Sequence, residues 1–266
     1  MEDGVQMAGS EGRPTARRDP WPSTQPSWQD PPWMMTGRVL TAWFDAPWEV
    51  LDASMSPDLW PKQAPSVRIR LRFYELRFRA LARNEGQPLA PVEGRFRECA
   101  VGFPARFLDM DGEASLFLWT DSDTYLMWAR EAFGWPVARG GIELSGSIWT
   151  SPELAGTSGG GKLEDAWGSA EIAGAAVRER AGQGSPSALW FTPRRVLRRA
   201  GLDDDVRELL VVRPTVRAVG ARYVGVASVI FDFDESHPLG GLGEAEAEIE
   251  LVDGFELVVG DDVEVW

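Results

Sequence analysis

One stretch of the sequence alternates apolar and charged side chains for long enough to define an extended backbone. In VRIRLRFYELRFRAL, residues 67–81, apolar side chains at 67, 69, 71 and 73 alternate with arginines at 68, 70 and 72. Successive side chains of a β-strand point to opposite faces of the sheet, so this period of two predicts a half-buried strand. The alternation slips by one position at Tyr74-Glu75 and resumes at Leu76 and Phe78. We therefore predict a long antiparallel strand with a bulge, or a hairpin, at the slip.

Similar patterns recur along the chain between turns rich in Gly, Pro and Asp. They predict strands at 95–108, 114–119, 142–149, 209–232 and 246–259. Helices are predicted at 46–55, 122–134 and 192–201, the last with Thr192 as its cap before Pro193. Residues 163–181 fit a strand or a helix equally well. Many strands and few helices indicate a mainly β domain of the α+β class, whose antiparallel sheet curls into a barrel.

The first 32 residues differ from the rest of the chain in composition. They are rich in Pro, Ser, Gly, Gln and Asp and almost lack aliphatic side chains, so we expect residues 1–32 to form a flexible tail. Trp21, Trp28 and Trp33 leave open a second possibility, in which this segment docks on the domain or on a neighbouring subunit. Residues 33–266 are predicted to form a single domain.

The charge and composition narrow the range of partners. A formal net charge of −14 argues against nucleic acid and against anionic membranes, and no apolar run approaches the length of a membrane span. Cys99 is the single cysteine, and the N-terminus lacks the pattern of a secretory signal, so a cytoplasmic location is expected. The expected partners are small molecules and copies of the chain itself in a homo-oligomer.

Five segments of the sequence share motifs with one enzyme family. In YLMWAREAFGWPVARGGIELSG, residues 125–146, a helix, an aromatic residue and a proline precede a strand. The other segments are GRVLTAWFDAPWEVLDASMSPDLW at 37–60, SVRIRL at 66–71, RECAVGFPARF at 97–107, and LLVVRPTVRAVGARYVGVASVIFDFDESHPLGGL at 209–242. Together they resemble acetoacetate decarboxylases over residues 34–260. The resemblance implies the curled β-barrel fold of that family.

The resemblance also implies which residues occupy the family's active-site positions. Arg38 matches the family's active-site arginine, Glu98 matches the second of its two pocket glutamates, and Arg70 falls on the first. Val137 and Ala138 fall on its two adjacent lysines. In the family the first lysine forms a Schiff base with a β-keto acid, and the second lysine depresses its pKa. Because valine has no amine, we expect no imine chemistry. We also expect Arg38, Arg70 and Glu98 to converge on one cavity lined by Val137 and Ala138.

Only two lysines, Lys62 and Lys162, offer an amine elsewhere in the chain. Lys162 lies in GTSGGGKLEDAW, which we interpret as a flexible hairpin tip where the ammonium is solvated, protonated and a poor nucleophile. The same stretch nearly spells a phosphate-binding P-loop, but Leu163 replaces the Ser or Thr that would hold magnesium. Neither a substitute Schiff-base lysine nor a nucleotide site is predicted.

The one histidine, His237, lies in FDFDESHPLGGL among Asp232, Asp234 and Glu235. Such a cluster raises two alternatives, a metal site and a general acid–base role for His237. A solvated turn after a strand is the interpretation we prefer. We therefore expect no metal and no cofactor.

Tryptophan is abundant, with 13 residues in 266, and several fall in the segments that share the family's motifs. Trp43, Trp119, Trp128 and Trp135 either pack in the core or wall a pocket suited to an apolar or conjugated ligand. The arginine stripe at 68, 70 and 72 is similarly ambiguous between a solvated face and a barrel-facing one. In the second case the arginines need carboxylate partners, and Glu98 is the first expected.

These observations predict a small-molecule enzyme that acts without an imine intermediate. By analogy with natural-product enzymes of the superfamily, we expect a cyclase or lyase of secondary metabolism acting on a polyketide-like or β-dicarbonyl intermediate. Arg38 and Arg70 would stabilise developing negative charge, and Glu98 would shuttle a proton. Two alternatives stay open, an imine-independent decarboxylase and a non-catalytic ligand-binding protein on the same fold.

Overall fold

The structure, a computed structural model, describes residues 33–49, 66–80, 94–133, 135–150, 158–180, 189–196, 206–259 and 263–265. Within these ranges the strands are β1 Trp33–Pro47, β2 Ser66–Ala80, β3 Gly94–Phe107, β4 Met110–Thr120, β5 Val137–Arg139, β6 Gly141–Gly146, β7 Ser158–Glu164, β8 Gly168–Glu179, β9 Leu189–Val196, β10 Val206–Val212, β11 Thr215–Phe233, β12 Glu244–Val259 and β13 Val263–Val265. The helices there are α1 Asp123–Phe133 and α2 Ser147–Thr150. The predicted mainly β class is confirmed. No helix in the described ranges is long and apolar enough to cross a membrane.

All the described strands belong to one sheet. Its order is β13-β10-β9-β4-β3-β2-β1-β12-β11-β8-β7-β6, and β5 pairs with β4 off this path. The pairs β4–β5 and β4–β9 are parallel, and the other pairs in the described residues are antiparallel. The sheet curls into a nearly closed barrel, as the sequence predicted.

The alternation slip in β2 is neither a bulge nor a hairpin. The strand pairs with β1 and with β3 without any register shift. Ile69, Leu71 and Phe73 belong to the larger of two cores, whereas Leu76 and Phe78 belong to the smaller one. Because residues of opposite parity point to opposite faces, the apolar pattern changes face while the backbone stays regular. The slip marks the point where the protein covers the other side of the sheet.

The two cores therefore lie on opposite faces of the first strands. The larger core receives side chains from β1–β4, from β6–β8 and from β11 and β12. The smaller core lies on the other face of β1–β4 and β12 and is covered by Tyr125 and Ala129 of α1 and by Trp135. The predicted helix 122–134 is confirmed, and Ser122 caps it because its Oγ accepts the Tyr125 backbone N–H at 3.2 Å.

Several predicted elements differ in the structure. The helix predicted at 192–201 is wrong for 192–196, which belong to β9, because pairing with β10 and β4 outweighs the local cap signal. In the helix predicted at 46–55, residues 46 and 47 end β1 and 50–55 lie outside the described residues. The predicted strand 209–232 is two strands, divided at Arg213-Pro214. The strand predicted at 142–149 ends at Gly146, where φ is +86°, and α2 follows. The predicted tail, residues 1–32, also lies outside the described residues.

The glycine-rich stretch around Lys162 is a strand, so its interpretation as a hairpin tip was wrong. Residues 158–164 form β7, and the ambiguous segment after it is largely strand β8. A Cβ added at Gly161 would stand 2.5–2.9 Å from the buried Phe73 ring. The glycines thus let neighbouring groups approach the strand closely. A glycine-rich sequence fits such a closely packed strand as well as it fits a flexible loop, so composition alone did not decide between them.

Candidate active site

A cavity lies on the face of the sheet that carries the smaller core, beside α1 and the Trp135-Pro136 turn. Its enclosed volume is about 50 Å³. The empty space is about 750 Å³ when the open mouth is included. The smaller volume corresponds to about four water molecules. Apolar walls come mainly from Met35, Leu76, Leu118, Trp135, Phe255 and Leu257. The polar groups in the lining are Arg72, Tyr74, Glu98, Glu113, Ser115 and Tyr125.

Glu98 is one of two buried carboxylates that line this cavity, and Glu113 is the other. Glu98 lies on β3 between Phe96 and Ala100 on the cavity-facing side of the strand and is 8% exposed. Burial raises its pKa to about 7, and this effect is opposed by a hydrogen bond from the Tyr125 hydroxyl and by the charge of Arg72. A carboxyl group with this pKa exchanges protons readily near neutral pH, as a general acid or base requires.

The second charged feature is a cluster of two arginines around one carboxylate. Glu113 of β4 accepts hydrogen bonds from Arg70 and from both terminal nitrogens of Arg72, of which Nη2 lies 2.7 Å from Oε2. Burial opposes the charge of Arg72, but the Glu113 carboxylate more than offsets this, so the pKa of Arg72 lies above its usual value. With two guanidinium groups for one carboxylate, the cluster keeps one excess positive charge.

A bulge and a glycine place Glu113 there. The β3–β4 register shifts between Val101 and Gly102, so Leu116 is an extra residue on β4. Leu118 and Glu113, which have opposite parity, therefore both lie on the cavity side. A Cβ at Gly102 would stand 3.0 Å from Glu113 Oε1, so the glycine leaves the space that this carboxylate occupies.

Arg70 lies on the cavity-facing side of β2, but its partner is Glu113 and not the expected Glu98. Its neighbours in the arginine stripe divide between the two interpretations. Arg72 lines the cavity, whereas Arg68 is exposed and binds Glu248 at 2.6 Å. The stripe is thus solvated at one end and buried at the other.

Arg38 does not join Glu98, contrary to the expected convergence. It pairs directly with Glu75, so its side chain lies on the face opposite Tyr74 and Leu76, which line the cavity. A bulge against β12 places Asp253 beside it, with Nε–Oδ1 at 2.5 Å, and Arg38 also donates to the Trp149 carbonyl. These contacts tie β1 to β12 and to the end of α2.

Among the residues whose side chains the structure describes, the expected indole walls reduce to one tryptophan. Trp135 lines the cavity, whereas Trp119 lies in the larger core and donates from Nε1 to Asp165 at 2.7 Å. Trp43 pairs with Arg70 but is not in the lining, and the side chain of Trp128 lies outside the described residues. The other rings in the lining are Tyr74, Phe117, Tyr125 and Phe255.

Val137 and Ala138 lie behind the cavity and not in its lining. They pair with Leu118 and Trp119 through β5. Val137 is fully buried in the smaller core, and Ala138 packs against the larger one. The turn that precedes them instead presents Trp135 and Pro136 to the cavity.

The remaining candidates lie outside the cavity. Lys162 is partly exposed on β7, and its ion pair with Glu164 at 2.6 Å raises its pKa. His237 accepts the Leu239 N–H on Nδ1 at 3.2 Å and stacks on Phe233 at 4.5 Å, and burial lowers its pKa. No group of three or more His, Cys, Asp or Glu residues in the described part of the chain is arranged to hold a metal.

Sequence reasoning did not single out Tyr125, Tyr74 or Glu113. The alternation in β2 places Tyr74 with Arg72, and this signal was available. Tyr125 required the position of α1 over the sheet, and Glu113 required the bulge at Leu116.

No protein-family model matches the sequence, and a comparison with curated proteins finds no match either. Comparison with solved structures shows that the chain has the acetoacetate decarboxylase-like fold. The enduracididine biosynthesis enzyme MppR, complexed with the condensation product of pyruvate and imidazole 4-carboxaldehyde, aligns with a TM-score of 0.71 at 15% identity, covering 90% of each chain.

Two further structures carry the family name. An acetoacetate decarboxylase-like enzyme from Sphingomonas wittichii RW1 gives a TM-score of 0.64 at 17% identity over 90% of this chain and 94% of that one. Acetoacetate decarboxylase from Legionella pneumophila gives 0.66 at 13% identity over 92% and 93%. The resemblance read from the sequence is confirmed for the fold.

Proposed function

We propose that this chain is an enzyme that removes a proton from the carbon next to a carbonyl group of a small anionic substrate, without an imine, and acts as a lyase. The observation that carries this proposal is Glu98, buried in a cavity with Arg72 and Tyr125 and with a pKa of about 7. At neutral pH a substantial fraction of Glu98 is ionised and able to accept a proton. A general base is most useful when its pKa lies near the working pH.

In the proposed step the C–H electron pair forms the C=C bond of an enolate, and the proton moves to the Glu98 carboxylate. Negative charge thus moves from Glu98 to the substrate oxygen. The excess positive charge of Arg70, Arg72 and Glu113 favours an anion in the cavity. The electron pair on the enolate oxygen then re-forms the C=O bond, and the C=C pair forms a new C=C bond to the next carbon. The bond between that carbon and the leaving group breaks, and protonated Glu98 returns its proton to the leaving group.

The cavity volume favours a small substrate over a polyketide. The enclosed volume of about 50 Å³ holds only a few atoms, so it favours a short β-dicarbonyl or keto acid that extends into the open mouth over a long chain folded into a ring. Of the two predicted reactions, lyase chemistry therefore has the better support. MppR, which has the same fold, is described in complex with pyruvate, also a small keto acid.

The described residues that line the cavity include no lysine on which an imine could form. Lys162, the lysine that the described residues contain, lies on β7 outside the lining. Val137 occupies the position that resembles the family's Schiff-base lysine.

The test is hydrogen–deuterium exchange at the carbon next to a carbonyl, followed by proton NMR in D₂O. We expect exchange of 2-oxobutyrate or levulinate above the buffer rate, with slower exchange of uncharged butanone. Glu98→Gln keeps the size of the side chain but removes the base, so exchange should fall about 100-fold or more. Glu75→Gln is the matched control, because Glu75 lies on the neighbouring strand and faces away from the cavity. Equal exchange by Glu98→Gln and wild type would refute the proposal.

The same samples separate the alternatives. Release of carbon dioxide from acetoacetate, lost in Arg72→Gln, would favour an imine-independent decarboxylase. Binding of the probes by wild type and Glu98→Gln alike, without exchange, would favour a ligand-binding protein.

A further inference from the structure

We infer that Tyr125 is a second catalytic residue of this site, whose hydroxyl binds Glu98 while Glu98 is the base and binds the substrate oxygen once Glu98 holds the proton. This inference rests on the proposed proton abstraction by Glu98. It adds a specific donor for the oxygen on which negative charge develops.

The structure holds the Tyr125 ring firmly beside the Glu98 carboxylate. Tyr125 is in the first turn of α1, and its backbone N–H is capped by Ser122. Its side chain is 1% exposed and its ring stacks on Phe96, with the centroids 4.3 Å apart. Phe96 and Glu98 are two residues apart on the same face of β3, so a ring stacked on Phe96 lies next to the carboxylate.

The groups that face Glu98 come from three elements. β2 contributes Arg72 and Tyr74, α1 contributes Tyr125, and β4 contributes the uncharged Thr120, which pairs directly with Glu98. Tyr74 hydrogen-bonds Arg72, whereas Tyr125 hydrogen-bonds Glu98. Of the two phenols in the lining, Tyr125 is therefore the one coupled to the base.

Tyr125 acts as a donor and keeps its own proton. Burial, together with the nearby negative charge of Glu98, raises its pKa well above the usual value. When Glu98 is a carboxylate, the phenol donates to it. When Glu98 has accepted the substrate proton, the carboxyl group is a weaker acceptor and the enolate oxygen is the stronger one. The phenol then donates to the enolate, so one hydrogen bond follows the negative charge.

Tyr125→Phe tests this role, with Tyr223→Phe as the matched control. Tyr223 is a buried tyrosine of the larger core, away from the cavity. In Tyr125→Phe the ring and its stack on Phe96 are kept, so we expect exchange to fall about 100-fold, as for the loss of one oxyanion donor. The hydrogen bond that favours ionised Glu98 is also lost, so the acid limb of the pH–rate profile should move to higher pH. Tyr223→Phe should leave both the rate and the limb unchanged.

A structural role for Tyr125 would give a different pattern. If Tyr125→Phe lowers the melting temperature but exchanges within threefold of wild type with an unmoved acid limb, the inference is wrong. Fluorotyrosine at position 125 is a second variant, because its phenol is a stronger donor and should move the acid limb to lower pH. Failure of the proposed function gives a different result. In that case wild type and Glu98→Gln would exchange equally, whatever residue stands at position 125.

Discussion

Replacing Glu113 by glutamine tests the charge cluster at the edge of the cavity. The Glu113 side chain is 5% exposed and binds Arg72 and Arg70, which are 18% and 25% exposed. Glutamine has similar volume but no charge, so two neighbouring guanidinium groups lose their counter-ion. Breaking a buried ion pair by removing one partner costs about 3–5 kcal/mol. Because water partly reaches both arginines, we expect about 3 kcal/mol.

The measurement is thermal unfolding at pH 7 by calorimetry. In a chain of this size, about 3 kcal/mol lowers the melting temperature by roughly 6–12 °C. Glu248→Gln is the control, because Glu248 binds Arg68 of the same arginine stripe but is 74% exposed. Such a pair contributes about 1 kcal/mol or less. In a Glu113→Gln background, Arg70→Met should recover part of the loss by removing one unpaired charge. If Glu113→Gln is no more destabilising than Glu248→Gln, the cluster does not stabilise the fold and the reasoning fails.

Three other predictions concern pH, packing and the missing amine. The pKa of Glu98 is about 7 in the folded protein against an ordinary 4.5, so the folded state binds more protons between these values and stability should fall as pH rises through this range. Glu98→Gln should remove that fall in the free energy of unfolding, which is roughly 3 kcal/mol, and should melt at a higher temperature than wild type at pH 8. A wild-type stability that stays constant from pH 4.5 to 7 would contradict this prediction. Gly161→Ala should destabilise by about 1–3 kcal/mol in chemical denaturation, because its Cβ meets the buried Phe73 ring, and an unchanged midpoint would count against that contact. Borohydride with a β-keto acid should leave the protein mass unchanged, and an adduct mapped to Lys162 or Lys62 would overturn the imine-free chemistry.

Local patterns in the sequence determined the elements whose signals do not depend on distant partners. The period of two identified β2. The slip in this period, which was interpreted as a bulge or a hairpin, marks the point where the apolar side chains of β2 change from the larger core to the smaller one. Helix α1 was predicted within one residue at each end, because its cap and its start lie in consecutive residues. β9 was misassigned because the local cap signal at Thr192 favours a helix, whereas pairing with β10 and with β4, which is far away in the sequence, makes these residues a strand.

The constellation of charges was decided by the tertiary structure. Glu113 lies 41 residues from Arg72 in sequence, and strand register together with the bulge at Leu116 brings them together. The sequence resemblance implied a place in the site for Arg38, but Arg38 pairs with Glu75 and its side chain points to the face opposite the cavity. The sequence identified Glu98 as a candidate site residue, whereas the pKa of Glu98 depends on its burial beside Tyr125 and Arg72. Alternation along one strand is a local property of the backbone, but which side chains share a cavity depends on how separate strands are aligned and what covers them.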